Sequence, residues 1–135
     1  MNRRDVLILG AAASVMLPGL ARAEATTLDY TPGLAEERLA AGETILLDFS
    51  AHWCSTCRTQ ARVIEQLRDD NPAYGEAITF IRVDWDQYRT AEITERLEIP
   101  RRSTLVLLRG DAELGRIVAQ TRPDDIAGLL DLALA

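Results

Sequence analysis

The two cysteines of this chain, Cys54 and Cys57, are separated by two residues in the sequence Trp-Cys-Ser-Thr-Cys-Arg. The apolar residues 45–49 just before them predict a strand, and a helix is predicted to start at the first cysteine. A thiol at a helix N-terminus faces unpaired backbone N–H groups and the positive end of the helix dipole, which favour a thiolate. The second thiol lies one turn along and is within reach of the first sulfur, so it can resolve a mixed disulfide. The spacing therefore predicts thiol–disulfide exchange.

Two other uses of a close cysteine pair fit the sequence less well. Structural zinc usually needs four nitrogen or sulfur ligands, and His52 is the only further soft ligand in the chain. A structural disulfide that encloses two residues constrains the unfolded chain very little. We therefore expect no metal site, and no cofactor other than a redox-active disulfide between Cys54 and Cys57.

Residues 47–58 resemble the active-site segment of the thioredoxin family, in which a strand ends in Asp-Phe-X-Ala-X-Trp-Cys-X-X-Cys-Lys/Arg. The positions that match are Asp48, Phe49, Ala51, Trp53, Cys54, Cys57 and Arg58. The resemblance implies an α/β thioredoxin fold over residues 24–135, with a central mixed sheet of about four to five strands flanked by helices.

The resemblance also assigns roles to individual residues. Cys54 would be the attacking nucleophile, and Cys57 the buried resolving thiol. Asp48 matches the buried acid that assists proton transfer for the resolving cysteine. Its place inside an apolar strand agrees with burial, which raises a carboxyl pKa and suits general acid–base work. A helix-capping Asp is the alternative. Trp53 would contact substrate beside the site, although a core tryptophan explains its position equally well.

The chain departs from the family at the cis-proline that normally stands opposite the cysteines. Ser103 takes that position if the following strand starts at Thr104, which we favour. Pro100 takes it if the loop carries an insertion. A cis peptide before a serine costs about 2.5–4 kcal/mol, so we expect a trans peptide there. Serine would then offer an N–H and a hydroxyl to substrate or thiolate, and Ser103→Pro is expected to change the chemistry more than the stability.

Other residues near the cysteine motif are expected to stabilise the Cys54 thiolate or to bind substrate. Arg102, Ser103 and Thr104 are assigned with Trp53 to the substrate-binding surface. Arg101 and Arg102 would stabilise the Cys54 thiolate or steer an acidic partner, and a solvated pair of loop charges is the alternative. The uncharged Ser-Thr pair between the cysteines favours a reductant.

The N-terminal residues 1–23 have the pattern of a cleaved bacterial signal peptide. Paired arginines precede an apolar run, and Ala-Arg-Ala stands at the expected cleavage site. The arginine pair resembles a twin-arginine signal, and a general secretory signal is the alternative. The apolar run, residues 6–17, is short for an uncleaved membrane anchor. We therefore expect an exported, periplasmic protein that is not membrane-embedded after cleavage.

The formal net charge of −6 argues against nucleic acid or anionic membranes as partners. By resemblance to periplasmic relatives, we expect disulfide-containing exported proteins as substrates and a membrane thiol electron donor as the source of electrons. The alternatives are a metal- or iron–sulfur-binding module on the same fold, and a disulfide oxidant or isomerase.

The remaining sequence predicts the elements that position these residues. We expect strands at 44–49, 78–83, 104–108 and 114–119, the last two forming a hairpin. Helices are expected at 31–39, 54–68 and 90–97, and from Pro123 onward, with Leu134 in the buried stripe of the last helix. Asp84 and Asp86 are interpreted as a turn and helix cap rather than a metal site.

Overall fold

The computed structural model describes residues 26–135, so the predicted signal peptide lies outside the described residues. The strands are β1 (Leu28–Asp29), β2 (Thr44–Ser50), β3 (Ile78–Asp84), β4 (Thr104–Arg109) and β5 (Ala112–Val118). The helices are α1 (Leu34–Ala40), α2 (Ser55–Asp70), α3 (Ala73–Ala77), α4 (Trp85–Tyr88), α5 (Glu92–Arg96) and α6 (Pro123–Asp131).

The five strands form one mixed sheet in the order β1-β3-β2-β4-β5. Strands β1, β3 and β2 run parallel, whereas β4 is antiparallel to β2 and forms an antiparallel hairpin with β5. Every residue of the central strand β2 is buried, as expected for a strand covered on both faces. The predicted sheet and the predicted hairpin are both confirmed.

Side chains of β2 alternate between two apolar clusters, one on each face of the sheet. Leu46 belongs to the cluster that packs against α2, α3 and α6. Ile45 and Leu47 belong to the opposite cluster, with residues of α1 and α5. Alternation therefore places Asp48 on the same face as Leu46, beneath the helix that carries the cysteines.

The helices differ from the prediction in several places. Helix α5 lies within the predicted helix 90–97, but the short helices α3 and α4 were not predicted. Helix α6 ends at Asp131, so helical spacing no longer determines which later residues are buried. Ala133 is buried, and Leu134 is 44 % exposed. The assignment of Leu134 to the buried stripe was wrong for this reason.

Asp84 caps α4, and its carboxylate accepts a hydrogen bond from the backbone N–H of Asp86 at 3.0 Å. This geometry confirms the interpretation of these two acids as a turn and helix cap. Within residues 26–135, no helix has both the length and the apolar character needed to cross a bilayer.

Candidate functional site

Cys54 is the N-cap residue of α2, and its extended backbone leads from the end of β2 into the helix. Its Sγ accepts a hydrogen bond from the backbone N–H of Cys57 at 3.2 Å. The sulfur thus takes the place of the oxygen that normally caps a helix, where the helix dipole favours negative charge. Both cysteines are buried, and both are free thiols.

The hydroxyl of Ser103 lies between the two sulfurs. Its Oγ is 3.3 Å from Sγ of Cys54 and 3.0 Å from Sγ of Cys57. A serine hydroxyl can donate one hydrogen bond and accept others, so it can donate to one sulfur while it accepts from the other. Pro100 is exposed and three residues earlier in the loop. Ser103, not Pro100, therefore occupies the position opposite the cysteines.

The backbone of Ser103 is held in an unusual conformation by internal hydrogen bonds. Its φ is +63°, and residues 26–135 contain no cis peptide bond. Its N–H donates to the carbonyl of Phe49 at 2.7 Å, and its carbonyl accepts from the N–H of Ala119 at 2.9 Å. The sequence led us to expect that this N–H could bind a substrate backbone. The structure shows that it is not free to do so. Only the hydroxyl is free to act on the cysteines.

Hydrogen bonds to the sulfurs separate the pKa values of the two thiols. Burial opposes ionisation of Cys54, but hydrogen bonds from the Cys57 thiol, the Ser103 hydroxyl and the Cys57 backbone N–H outweigh it, with a smaller contribution from Arg102. Together they lower the pKa of Cys54 to about 7. Burial, followed by the neighbouring Cys54, raises the pKa of Cys57. Cys54 is thus the thiol that ionises first near neutral pH.

The exposed Trp53 and the half-buried Arg102 form the rim of the site. Trp53 is 50 % exposed, and its indole N–H donates to the carboxylate of Asp86 at 2.9 Å. The guanidinium of Arg102 lies 4.5 Å from the centre of the Trp53 ring, a cation–π contact. The tryptophan is therefore not a core residue. It presents a flat apolar surface beside the cysteines, with a cation stacked on it.

The side chains of Thr104 and Arg101 form hydrogen bonds with backbone carbonyls of the loop that precedes β4. The Thr104 side chain is buried, and its hydroxyl donates to the carbonyl of Arg101 at 2.7 Å. The Thr104 side chain therefore does not reach the exposed surface beside the cysteines, and its assignment to the substrate-binding set stays a prediction. Arg101 is half-buried and donates to the carbonyl of Arg102 at 3.0 Å.

Asp48 is buried in the centre of β2, with 7 % of its surface exposed. Desolvation raises the pKa of its carboxyl from an ordinary 3.8 to about 6, although the positive charge of Arg82 opposes the shift. Within the described residues its Oδ1 has no hydrogen-bond partner, and no hydrogen bond joins it to Cys57. Asp48 and Cys57 line two neighbouring grooves that share Ala61 and Arg82. No direct hydrogen bond among the described residues therefore connects the two groups for proton transfer.

The raised pKa of Asp48 predicts a pH-dependent cost to stability. The unfolded carboxyl ionises near pH 3.8 and the folded one near pH 6, so stability falls as pH rises through this window. Above about pH 6 the full cost of about 3 kcal/mol applies. Asp48→Asn should therefore stabilise the protein at pH 7, and the gain should vanish below pH 4. Denaturant titrations of both proteins from pH 3.5 to 8 would measure this, and a gain independent of pH would contradict it.

Gln60 is a site residue that the sequence analysis missed. It is fully buried on α2, and its Nε2 donates to the carbonyls of Ser103 at 3.0 Å and Gln120 at 2.9 Å. A sequence signal for it exists. Gln60 lies three residues after Cys57 and four before Ile64, the spacing of one helix face, and both neighbours are buried.

Among residues 26–135, no group of three or more His, Cys, Asp or Glu side chains is arranged to hold a metal ion. The side chain of His52 is exposed, and its backbone carbonyl accepts a hydrogen bond from Arg58. The hydrogen bonds that join the two sulfurs to other polar groups include those with Ser103 and with the Cys57 backbone N–H.

Residues 29–131 match the sequence model of the family described as Thioredoxin. A thioredoxin H-type from Oryza sativa subsp. indica is 29 % identical over 64 % of this chain and 65 % of its own length. A thioredoxin from Echinococcus granulosus is 26 % identical over 76 % of this chain and 88 % of its own length. The chain thus spans just under two thirds of the rice protein and most of the other.

Solved structures share the fold at lower identity. Trxlp from Edwardsiella tarda superposes with a TM-score of 0.68 at 24 % identity, over 78 % of this chain and 98 % of that one. A thioredoxin from Malassezia sympodialis gives a TM-score of 0.63 at 20 % identity, over 82 % and 96 % of the two chains. Because the family model covers most of the chain, the protein belongs to the thioredoxin family.

Proposed function

We propose that this protein is a periplasmic thiol–disulfide oxidoreductase that reduces disulfides of exported proteins. The observation that supports it best is the arrangement at the head of α2. Cys54 has a pKa of about 7, while the pKa of Cys57, one turn along the same helix, is raised. A thiolate paired with a protonated second thiol is the reactive form for reducing a disulfide.

The exchange proceeds in two displacements. The Cys54 thiolate attacks one sulfur of the substrate disulfide and forms a mixed disulfide, and the other substrate sulfur leaves as a thiolate that takes up a proton. Cys57 then loses its proton and attacks Cys54 Sγ. The second substrate sulfur leaves with its bonding electrons and is protonated. Two electrons pass to the substrate, and the Cys54–Cys57 disulfide remains. Asp48 is the proposed final acceptor of the Cys57 proton, through a carrier.

The rim of the site supplies the proposed substrate surface. Trp53 offers an apolar face, and Arg102 places a positive charge beside the sulfurs. A substrate segment with an acidic residue near its disulfide would be favoured, because Arg102 attracts it during encounter. Ser103 is fully buried and its N–H is bonded to Phe49, so it acts on the reaction only through the hydroxyl that contacts the two sulfurs.

The proposed periplasmic location rests on residues outside the described part of the chain. The proposed direction of electron transfer, toward the substrate, rests on the residues between the two cysteines. The signal-like pattern of residues 1–23 supports export, and the uncharged Ser-Thr pair between the cysteines supports a reductant. A reductant must be re-reduced, and a membrane thiol donor with its own cysteine pair is the proposed source of electrons.

Three measurements test this proposal. The full chain, expressed in a Gram-negative host, should be recovered from the periplasm as a shortened protein that begins near residue 24. Replacing the arginine pair Arg3-Arg4 by lysines should retain it in the cytoplasm if the twin-arginine route is used.

The redox potential, measured against a thiol buffer, should lie in the range of reducing thioredoxins, about −270 mV. A potential near −120 mV, typical of a strong oxidant, would contradict the proposed direction.

A further inference from the structure

The loop that faces the cysteines is anchored from the cysteine helix itself. Gln60 follows Cys57 by one turn on the buried face of α2. Its side-chain amide reaches across to the carbonyl of Ser103 at 3.0 Å and to the carbonyl of Gln120 at 2.9 Å. Cys57 and Ser103 are thus connected twice, once through the sulfur and hydroxyl at 3.0 Å and once through Gln60.

The orientation of the Gln60 amide is fixed by its partners. Both are carbonyl oxygens, which only accept hydrogen bonds, so the nitrogen and not the oxygen must face them. Within the described residues, the amide oxygen of Gln60 has no hydrogen-bond partner. Burying an unpaired acceptor costs free energy that an apolar residue on the same helix face would not. This cost indicates that the two bonds made by the nitrogen serve more than packing.

Ser103 needs such an anchor because its backbone conformation is unfavourable. A φ of +63° is disfavoured for any residue with a side chain and persists only when the surroundings fix it. The N–H of Ser103 is fixed by Phe49, and the carbonyl by both Ala119 and Gln60. The direction of the Cα–Cβ bond, and hence the place of the hydroxyl between the sulfurs, follows from this backbone geometry.

We propose that Gln60 is a positioning residue for thiol chemistry, which acts on the two sulfurs by holding Ser103 in the conformation that directs its hydroxyl at both of them. The inference rests on the proposed reactivity of Cys54, but not on the location or the substrates of the protein. Gln60 touches neither sulfur, so its whole effect passes through Ser103.

A double-mutant cycle with Ser103→Ala tests this connection. Gln60→Met keeps the length of the side chain but cannot donate, so Ser103 loses one anchor. The rate of alkylation of Cys54 by limiting iodoacetamide, measured against pH, reports the pKa of that thiol without any protein substrate. We expect Gln60→Met to raise this pKa by about half a unit, a threefold fall in the ratio of thiolate to thiol. In the Ser103→Ala background, which has no hydroxyl to misplace, the same substitution should leave the pKa unchanged.

Gln66 supplies a matched control. It lies on the same helix, but it is exposed and its side chain bonds to Asp70, away from the cysteines, so Gln66→Met should leave the Cys54 profile unchanged in both backgrounds. Melting temperatures of all variants separate loss of stability from the change at the thiol. If Gln60→Met does not fold, Gln60→Leu replaces it in the comparison of the Cys54 pKa with and without the Ser103 hydroxyl. An unchanged Cys54 pKa in the single variant would overturn the proposal, and so would an equal shift with and without the Ser103 hydroxyl.

Because the readout is the Cys54 thiol itself, the outcome is separate from that of the proposed function. A protein that fails to reduce exported substrates can still show the coupling of Gln60 to Ser103. Conversely, an active reductase in which the two substitutions act independently would retain the proposed function and lose this inference.

Discussion

Cys54→Ser should abolish disulfide reduction, with a fall in rate of more than about 10³-fold, the scale on which removal of a covalent nucleophile acts. The reason lies in the two thiol environments. Only Cys54 combines the helix N-cap position with a pKa of about 7, so no other group can take over the first displacement near neutral pH. Reduction of a protein disulfide, followed at pH 7 with excess chemical reductant, measures the loss.

Cys57→Ser is the matched control for this prediction, because it makes the same replacement of a sulfur by an oxygen one turn further along the helix. This variant should still attack substrates, and it should accumulate as a mixed disulfide that non-reducing electrophoresis detects. Accumulation in Cys54→Ser instead would reverse the two assigned roles. Equal activity of the Cys54→Ser variant and the parent would show that the cysteine pair is not the reactive group.

The part of the site that is contiguous in sequence could be predicted from the sequence. Asp48, Trp53 and the two cysteines all fall within ten residues, and a buried strand followed directly by a helix fixes their relative positions. The burial of Asp48 followed from its place in an apolar run. The sheet could be predicted for a similar reason, since β2 is apolar throughout and the hairpin of β4 and β5 closes over a short turn.

The contacts between distant segments could not be predicted in the same way. The sequence left open whether Ser103 or Pro100 faces the cysteines, because the answer depends on the path of the loop between α5 and β4, in which Ser103 has a positive φ. Positive φ is uncommon for serine, so no propensity indicates it. Gln60 reads as one more polar residue of an amphipathic helix until its partners, 43 and 60 residues away in sequence, are known.

The prediction that the Ser103 N–H would be free was wrong for a related reason. Whether a backbone donor is available depends on the strand register. Phe49 pairs with Thr104, which brings the Phe49 carbonyl within 2.7 Å of the Ser103 N–H. This register is a tertiary property that neither residue type reveals. The hydroxyl remains as the single polar group of Ser103 that is available to the sulfurs.

The same geometry changes the expected result of Ser103→Pro from an altered chemistry to a loss of stability. Proline requires a φ near −65°, whereas Ser103 has +63°, and proline also lacks the N–H that bonds to Phe49. Incompatible backbone geometry and a lost internal hydrogen bond together should cost about 3 kcal/mol or more. For a domain of this size, the melting temperature should fall by about 10–20 °C, which differential scanning calorimetry would measure.

Ser103→Gly is the control that separates the backbone from the hydroxyl. Glycine tolerates a positive φ and keeps the N–H, so the fold and most of the stability should remain. The hydrogen bond to Cys54 is lost, and the pKa of Cys54 should therefore rise from about 7. A Ser103→Pro variant that melts close to the parent temperature would show that the loop accepts a φ near −65° at this position. The anchoring of Ser103 by Phe49, Ala119 and Gln60 would then not determine its conformation.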